Sequence, residues 1–180
     1  TMVPPRTVAL VTGAASGIGR AVALQCAREG AAVLVSDRDK GGAQATADCL
    51  RAMGARVLVV TADVDRAGDI QHLVERCCAH FGRLDVACNN AGISGPSLNT
   101  ADYPIDDWNH VIQVNLSGVF YGMKYQIAAM LAHAGFALAD TRSLSGGTLT
   151  VKIWLGQYRG EPARIHPAPL DSETPRKAAA

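Results

Sequence analysis

At 180 residues, 48% hydrophobic and 18% charged, the chain suits one domain with an ordinary buried core. A formal net charge of +1 and the absence of any run of like charges exclude a broad basic field for nucleic acid or an anionic membrane, which leaves a small-molecule protein. No apolar run approaches the roughly 18 residues a membrane helix needs. The start, TMVPPRTVALVTG, has no cationic segment leading into a long apolar one, so the expected location is cytoplasmic.

In chain order, TVALVTG is a short β-branched run ending in glycine, and GIGRAVALQCAREG follows with apolar residues at helical spacing, stopping at Gly30. The same strand-then-helix unit recurs in AAVLVSD and KGGAQATADCLRAMG, then in ARVLVVTAD and DRAGDIQHLVERCCAHFG, and LDVACNNAG supplies a fourth strand. Strands so uniformly apolar are buried on both faces, which predicts an α/β fold with a doubly wound parallel sheet of Rossmann type. After the loop ISGPSLNTADYP, residues 105–135 repeat apolar positions every three or four residues and predict one long helix, with Asp106 and Asp107 favoured in its first turn. The pattern fails from Phe136, so the expected organisation is a dinucleotide-binding domain over 1–135 and an irregular tail over 136–180. That tail holds at most one or two weak strands, in FALADTRSLSGG and TLTVKIWLG, before a proline-rich polar end.

The five cysteines have no C-x-x-C spacing and are expected to be reduced, mostly buried thiols. His72 and His80 share a predicted helix but lie two turns apart, too far to chelate one ion, so no metal is assigned.

TGAASGIG, residues 12–19, lies between the first strand and its helix. In such a loop Gly13 permits the tight turn, Gly17 lets backbone amides approach a pyrophosphate, and Gly19 lets the helix pack close, while the helix N-terminus presents free N–H groups to the anion. Asp37 closes the second strand about twenty residues later, where a carboxylate can accept from a ribose 2′-hydroxyl and repels a 2′-phosphate. NAD is therefore expected in preference to NADP, although Arg38 beside it suits NADP and Asp37 also fits a solvated turn. Asp63 either reaches an adenine edge or caps the following turn. The adjacent asparagines of NNAG, residues 89–92, need partners for their amides, which backbone groups and a ribose can supply.

TGAASGIG, DV at 63–64, NNAG and VNLSGVF around Asn115, in that order and spacing, resemble the short-chain dehydrogenase/reductase family over residues 6 to about 135. The resemblance implies a Rossmann-type domain that binds NAD(P)H and transfers hydride between cofactor and a small-molecule alcohol or carbonyl. It implies a cofactor set of Gly13, Ser16, Gly17, Ile18, Gly19, Asp37, Arg38, Asp63, Val64, Asn89, Ala91 and Gly92. Asn115 would join a serine, a tyrosine and a lysine in the active site, kinking the long helix and holding a water in a proton relay; its alternative role is a bond to a neighbouring loop.

Aligning DTRSLSG with the family's serine-bearing run places Ser143 at the serine position, 28 residues after Asn115, and Tyr158 falls 15 further on. A phenol with an ordinary pKa of about 10 needs a nearby cation to act near neutrality. The family supplies it with a lysine four residues after the tyrosine, where this chain has Pro162; Gly160 and Pro162 also oppose a helix there. An abrupt loss of resemblance near Phe136 is what a reading-frame shift or alternative exon leaves. The alternative expectation is thus a catalytically inactive, truncated or frame-shifted member that still binds the dinucleotide. Family dimers use the long helix together with the one after the tyrosine, and the second has no counterpart in the sequence.

Overall fold

The computed structural model describes residues 7–133. Ser143, Tyr158 and the expected tail lie outside them. Four strands form a parallel sheet: β1 (Val8–Thr12), β2 (Ala32–Asp37), β3 (Val57–Thr61) and β4 (Val86–Cys88), in the order β3-β2-β1-β4. β1 is central and fully buried. Its register runs from Val8 opposite Ala32 to Thr12 opposite Ser36 on one side, and from Ala9 opposite Val86 to Val11 opposite Cys88 on the other.

Helices α1 (Gly17–Arg28) and α2 (Lys40–Ala52) cover one face of the sheet. Helix α3 (Ala67–Phe81) and the later helix α5 (Gly118–His133) cover the other. The alternation of strand residues sorts the core into two clusters. Val11, Val33 and Val35 pack with Ala23, Ala43 and Leu50. Val8, Leu10 and Leu34 pack with Ile70, Leu73, Val74 and Cys77. Buried positions 43, 46, 47 and 50 of α2, and 70, 73, 74 and 77 of α3, fall at the i, i+3, i+4, i+7 spacing that puts one helical stripe on the sheet. Burying each such Leu or Ile stabilises the fold by about 1.5–3 kcal/mol.

The strand order reverses at β1, because β2 and β3 are laid down on one side of β1 and β4 on the other. In such a sheet the loops leaving the carboxyl ends of the two strands diverge and leave a crevice between them. Those predicted cofactor residues that follow β1, β2, β3 and β4 lie at this end.

Two expectations are refined. The strand expected over LDVACNNAG is paired only over Val86–Cys88, because Asn90 and Ala91 give their N–H groups to the Thr12 side chain instead of to a strand. The long helix is continuous but not uniform: α4 (Ile105–Ile112) passes through a π-helical turn, Gln113–Ser117, into α5. All five cysteines are free thiols, but Cys77 alone is fully buried and the other four are half-buried, so the expectation of mostly buried thiols holds in full at one position. Among the described residues no helix is long and apolar enough to cross a membrane.

Candidate functional site

The loop between β1 and α1 is shaped by glycines with distinct tasks. Gly13 has φ +65°, and a Cβ there would lie 2.8 Å from both Asn90 Nδ2 and the Ala91 Cα. A Cβ on Gly19 would collide with the Gly13 carbonyl and lie 2.5 Å from Asn90 Nδ2, so Gly19 lets α1 close onto its own loop and onto the loop after β4. Gly17, φ +53°, differs: no atom stands within 4 Å of where its Cβ would point. Beside it, Ser16 is extended at the N-cap with no side-chain bond to the helix, and Ile18 is 48% exposed. The first turn of α1 thus presents its end to open space, with the partial positive charge that favours an anion.

Asp37 stands beside this turn. One carboxylate oxygen accepts from the Ala15 N–H at 3.0 Å and the other from the Asp39 N–H at 2.9 Å, so it braces the glycine loop as well as ending β2. Both oxygens keep acceptor capacity, since an ionised carboxylate takes about four hydrogen bonds. Asp39 in turn caps α2 through Gly41 and Gly42. The neighbouring Ser36 hydroxyl is buried without a hydrogen-bond partner among the described residues. Arg38 is exposed.

The loop after β4 is held by side-chain amides. Thr12 Oγ1 accepts from the N–H groups of Asn90 and Ala91 at 3.1 and 3.2 Å. Asn90 Nδ2 donates to the carbonyls of Thr12 and Gly13 at 3.1 and 3.2 Å. Asn89 faces the opposite way: its carboxamide exchanges two 2.8 Å hydrogen bonds with Gln126, which is 2% exposed on α5. Gly122 makes room, since a Cβ there would lie 2.5 Å from Asn89 Oδ1. Ala91 and Gly92 follow; a Cβ on Gly92 would stand 3.2 Å from Asn115 Oδ1.

Asn115 itself, inside the π-helical turn, accepts from the Ile93 N–H and donates to the Ile93 carbonyl, both at 2.8 Å. The bond to a neighbouring loop, one of its two expected roles, is made by these contacts. Two residues earlier, Gln113 Nε2 donates to the Asp65 carbonyl at 2.8 Å and to the Tyr121 hydroxyl at 3.2 Å.

Asp63 Oδ1 accepts from the Asp65 N–H at 3.5 Å, the turn-capping alternative in a long form. Val64 packs on α5, where a Cβ on Gly118 would come within 2.9 Å of its carbonyl oxygen. The structure therefore gathers Gly13, Ser16, Gly17, Ile18, Gly19 and Asp37 around one helix end. Asn89, Ala91, Gly92 and Asn115 meet at the loop after β4, and Asp63 and Val64 lie at the carboxyl end of β3. Sequence reasoning missed Thr12, Asn90 and Gln126. The need of both asparagines for partners was the available signal; which of the two faced the glycine loop was not.

Burial pushes the Cys77 thiol up to about 12, with Cys78 and Asp85 adding to the shift. Burial likewise raises the Cys26, Cys78 and Cys88 thiols, Cys88 with a further contribution from Cys26. None of these thiols is activated as a nucleophile.

Residues 7–151 match the family model for short chain dehydrogenase, which carries the likeness past Phe136, where the motif pattern fails. A cyclohexanol dehydrogenase from Acinetobacter sp. (strain SE19) is 42% identical over 139 residues, covering 77% of this chain and 55% of that protein. An A-factor type gamma-butyrolactone 1'-reductase (1S-forming) from Streptomyces virginiae is 43% identical over 142 residues, 77% of this chain and 54% of its own length. The crystal structure of an NAD+-bound xylitol dehydrogenase superposes with a TM-score of 0.70 at 27% identity, covering 77% of this chain and 56% of that one. The chain thus spans about half the length of the curated relatives it matches. With this match over more than two thirds of the residues and the β3-β2-β1-β4 sheet beneath it, the chain belongs to the short-chain dehydrogenase family.

Proposed function

We propose that this chain binds a nicotinamide adenine dinucleotide, NAD in preference to NADP, and serves hydride transfer between that cofactor and a small-molecule alcohol or carbonyl. The observation that carries the reading is the open first turn of α1: Gly17 has empty space where a side chain would stand, Ser16 leaves the helix end without a side-chain cap, and Asp37 flanks it. A pyrophosphate fits a helix end of that kind. Asp37 suits a free ribose diol and repels a 2′-phosphate, while Arg38 is the residue that would favour one. The names of an NAD+-bound xylitol dehydrogenase and of a cyclohexanol dehydrogenase among similar proteins agree with that cofactor and substrate class.

When bound, the dinucleotide supplies the hydride acceptor or donor. The chain's own part is to hold it: Gly13, Ser16, Gly17, Ile18 and Gly19 at the anion, Asp37 and Arg38 at the ribose, Asp63 and Val64 toward the adenine, and Asn89, Ala91 and Gly92 along the crevice. Asn115, Ser143 and Tyr158 form the proposed catalytic set. The domain proposed for binding is 1–135, with 136–180 as a divergent tail and the cytoplasm as its place.

A second reading, binding without turnover, is favoured by one residue. Pro162 stands where a lysine would lower the pKa of Tyr158, and proline has neither charge nor helix propensity. Calorimetric titration with NAD and NADP, followed by nicotinamide absorbance on a panel of alcohols and ketones, tests both. Tighter NAD binding is expected. Turnover supports the first reading, and saturable binding with no absorbance change supports the second. Asp37→Ala should lower the NAD/NADP affinity ratio roughly 10-fold, about 1.4 kcal/mol; an unchanged ratio removes the argument from Asp37.

A further inference from the structure

We infer that Gln126 is a positioning residue for the dinucleotide: through its paired carboxamide it fixes Asn89 and thereby the loop 89–93 that borders the cofactor crevice. The inference rests on the dinucleotide reading above. Gln126 lies on α5, nine residues past the π-helical turn, and is 2% exposed. Among the described residues its carboxamide has one partner, Asn89, reached by two hydrogen bonds of 2.8 Å in opposite senses.

Two primary amides facing each other this way, Gln126 buried and Asn89 half-buried, satisfy one donor and one acceptor on each side without any charge. The arrangement also fixes which way each amide plane points. Gly122, one turn earlier, leaves the notch in α5 that admits the Asn89 carboxamide, with Oδ1, Cγ and Nδ2 at 2.5, 2.8 and 2.9 Å from where a Cβ would be. Replacing either amide therefore leaves the other without its partner in a notch shaped for the pair.

Asn89 is covalently followed by Asn90, whose carboxamide clamps the carbonyls of Thr12 and Gly13. Side chains of adjacent residues in extended chain point to opposite sides. Holding Asn89 against α5 thus turns Asn90 toward the glycine loop. Two residues beyond Ala91, the Asn115 carboxamide holds Ile93 from the same helical rod. Among the described residues, Gln126 and Asn115 are the side chains of the α4–α5 rod that hydrogen-bond this loop, and Gln126 is the one whose side chain reaches the crevice only through another residue.

The test uses the full 180-residue chain, with amide hydrogen exchange in the absence of cofactor and calorimetric titration with NAD. In Gln126→Leu the exchange of the Asn90, Ala91 and Ile93 amides is expected to rise at least ~10-fold, with the β2 amides unchanged and the NAD dissociation constant raised in parallel. Gln126→Glu is the second variant should the first fail to fold. A carboxylate there accepts from Asn89 Nδ2 but sets its other oxygen against Asn89 Oδ1, whereas the protonated acid restores both bonds. The pair therefore favours the neutral acid and raises its pKa in the folded state. Loop protection and NAD affinity in this variant are present at low pH and lost as pH rises through that raised value, while the wild-type protein shows no such step between about pH 5 and 8, a range in which an amide does not titrate. A general loss of packing would not produce a proton-dependent loop. Loop exchange unaltered in both variants, or altered exchange with unchanged NAD affinity, overturns the positioning role while leaving the dinucleotide reading intact. Wild-type protein that binds no NAD overturns both.

Discussion

Residues 12–19 and residues 89–93 border the same crevice, yet the chain holds them by different chemistry. The first loop relies on backbone shape: positive φ at Gly13 and Gly17, and a missing Cβ at Gly19 that lets α1 sit against the Gly13 carbonyl. Side chains from outside brace it at its edges: Asp37 through the Ala15 N–H, Thr46 through the Ala15 carbonyl, and Asn90 through the carbonyls of Thr12 and Gly13. The glycine of the second loop, Gly92, does not take a positive φ. That loop is fastened by the side chains of Thr12, Asn89, Asn90 and Asn115, three of them carboxamides, reaching partners between 22 and 79 residues away. A surface built to receive an anion needs bare backbone N–H groups at close range, which glycine provides. A loop that must keep one position between two helices and a strand needs directional bonds at both ends, which carboxamides provide.

If the contrast is correct, damage to the two loops should be separable, and the effects can be ranked. The largest is expected at Gly19→Val, whose branched side chain enters the space of the Gly13 carbonyl and the Asn90 amide. We expect about 3 kcal/mol less stability in urea unfolding, the upper end for overpacking, together with loss of NAD binding by titration. A well-folded variant with intact binding would show that close approach of α1 is not required.

Asn115→Ala comes next. It strips the Ile93 N–H and carbonyl of partners at about 1–3 kcal/mol for each group left unsatisfied, reduced where water enters, so a total near 2 kcal/mol is expected from the urea midpoint. Faster amide exchange should be confined to residues around 93; if it spreads equally to 12–19, the loops are one unit and the contrast is broken. Thr12→Val then probes the seam between them, because its hydroxyl serves the Asn90 and Ala91 N–H groups and donates to the Cys88 carbonyl at 3.4 Å. Its shape is preserved, and about 1–2 kcal/mol is expected, with exchange rising at 90 and 91 but not at Ala15.

The smallest effect is a control away from both loops. Cys77 lies on the sheet-facing stripe of α3 with its thiol 3.9 Å from the Arg83 carbonyl. Cys77→Ala should cost about 1 kcal/mol at neutral pH. Because the folded-state pKa stands near 12 against an ordinary 9.0, the folded protein holds a proton that the unfolded chain releases. That contribution is fully present below about pH 9 and is lost as pH rises from there toward 12. The variant should therefore show a flatter alkaline decline of the urea midpoint than the wild-type protein; parallel declines would remove the assignment to Cys77.

The elements were legible for a definite reason. A strand buried on both faces shows as an unbroken apolar run, and a helix lying on a sheet shows its stripe at 3.6-residue period, so β1 through α3 follow from TVALVTG onward. The glycine loop was equally legible, since positive φ and missing Cβ atoms are written in residue identity. The end of β4 was not: VACNNAG reads as strand until Thr12, 78 residues away, takes the Asn90 N–H. Nor does a helical repeat announce the π-helical turn at Gln113–Ser117, which occurs where Asn115 turns to Ile93 and Gln113 to Asp65.

By itself the sequence determined the parallel α/β sheet and the glycine loop, because these depend on hydrophobic period and on backbone freedom, both properties of neighbouring residues. Tertiary structure alone decided that Asn89 turns to Gln126, Asn90 to the carbonyls of residues 12 and 13, and Asn115 to Ile93. A carboxamide carries donors and an acceptor but no address, and its partner is chosen only when the chain brings a complementary buried group within about 3 Å.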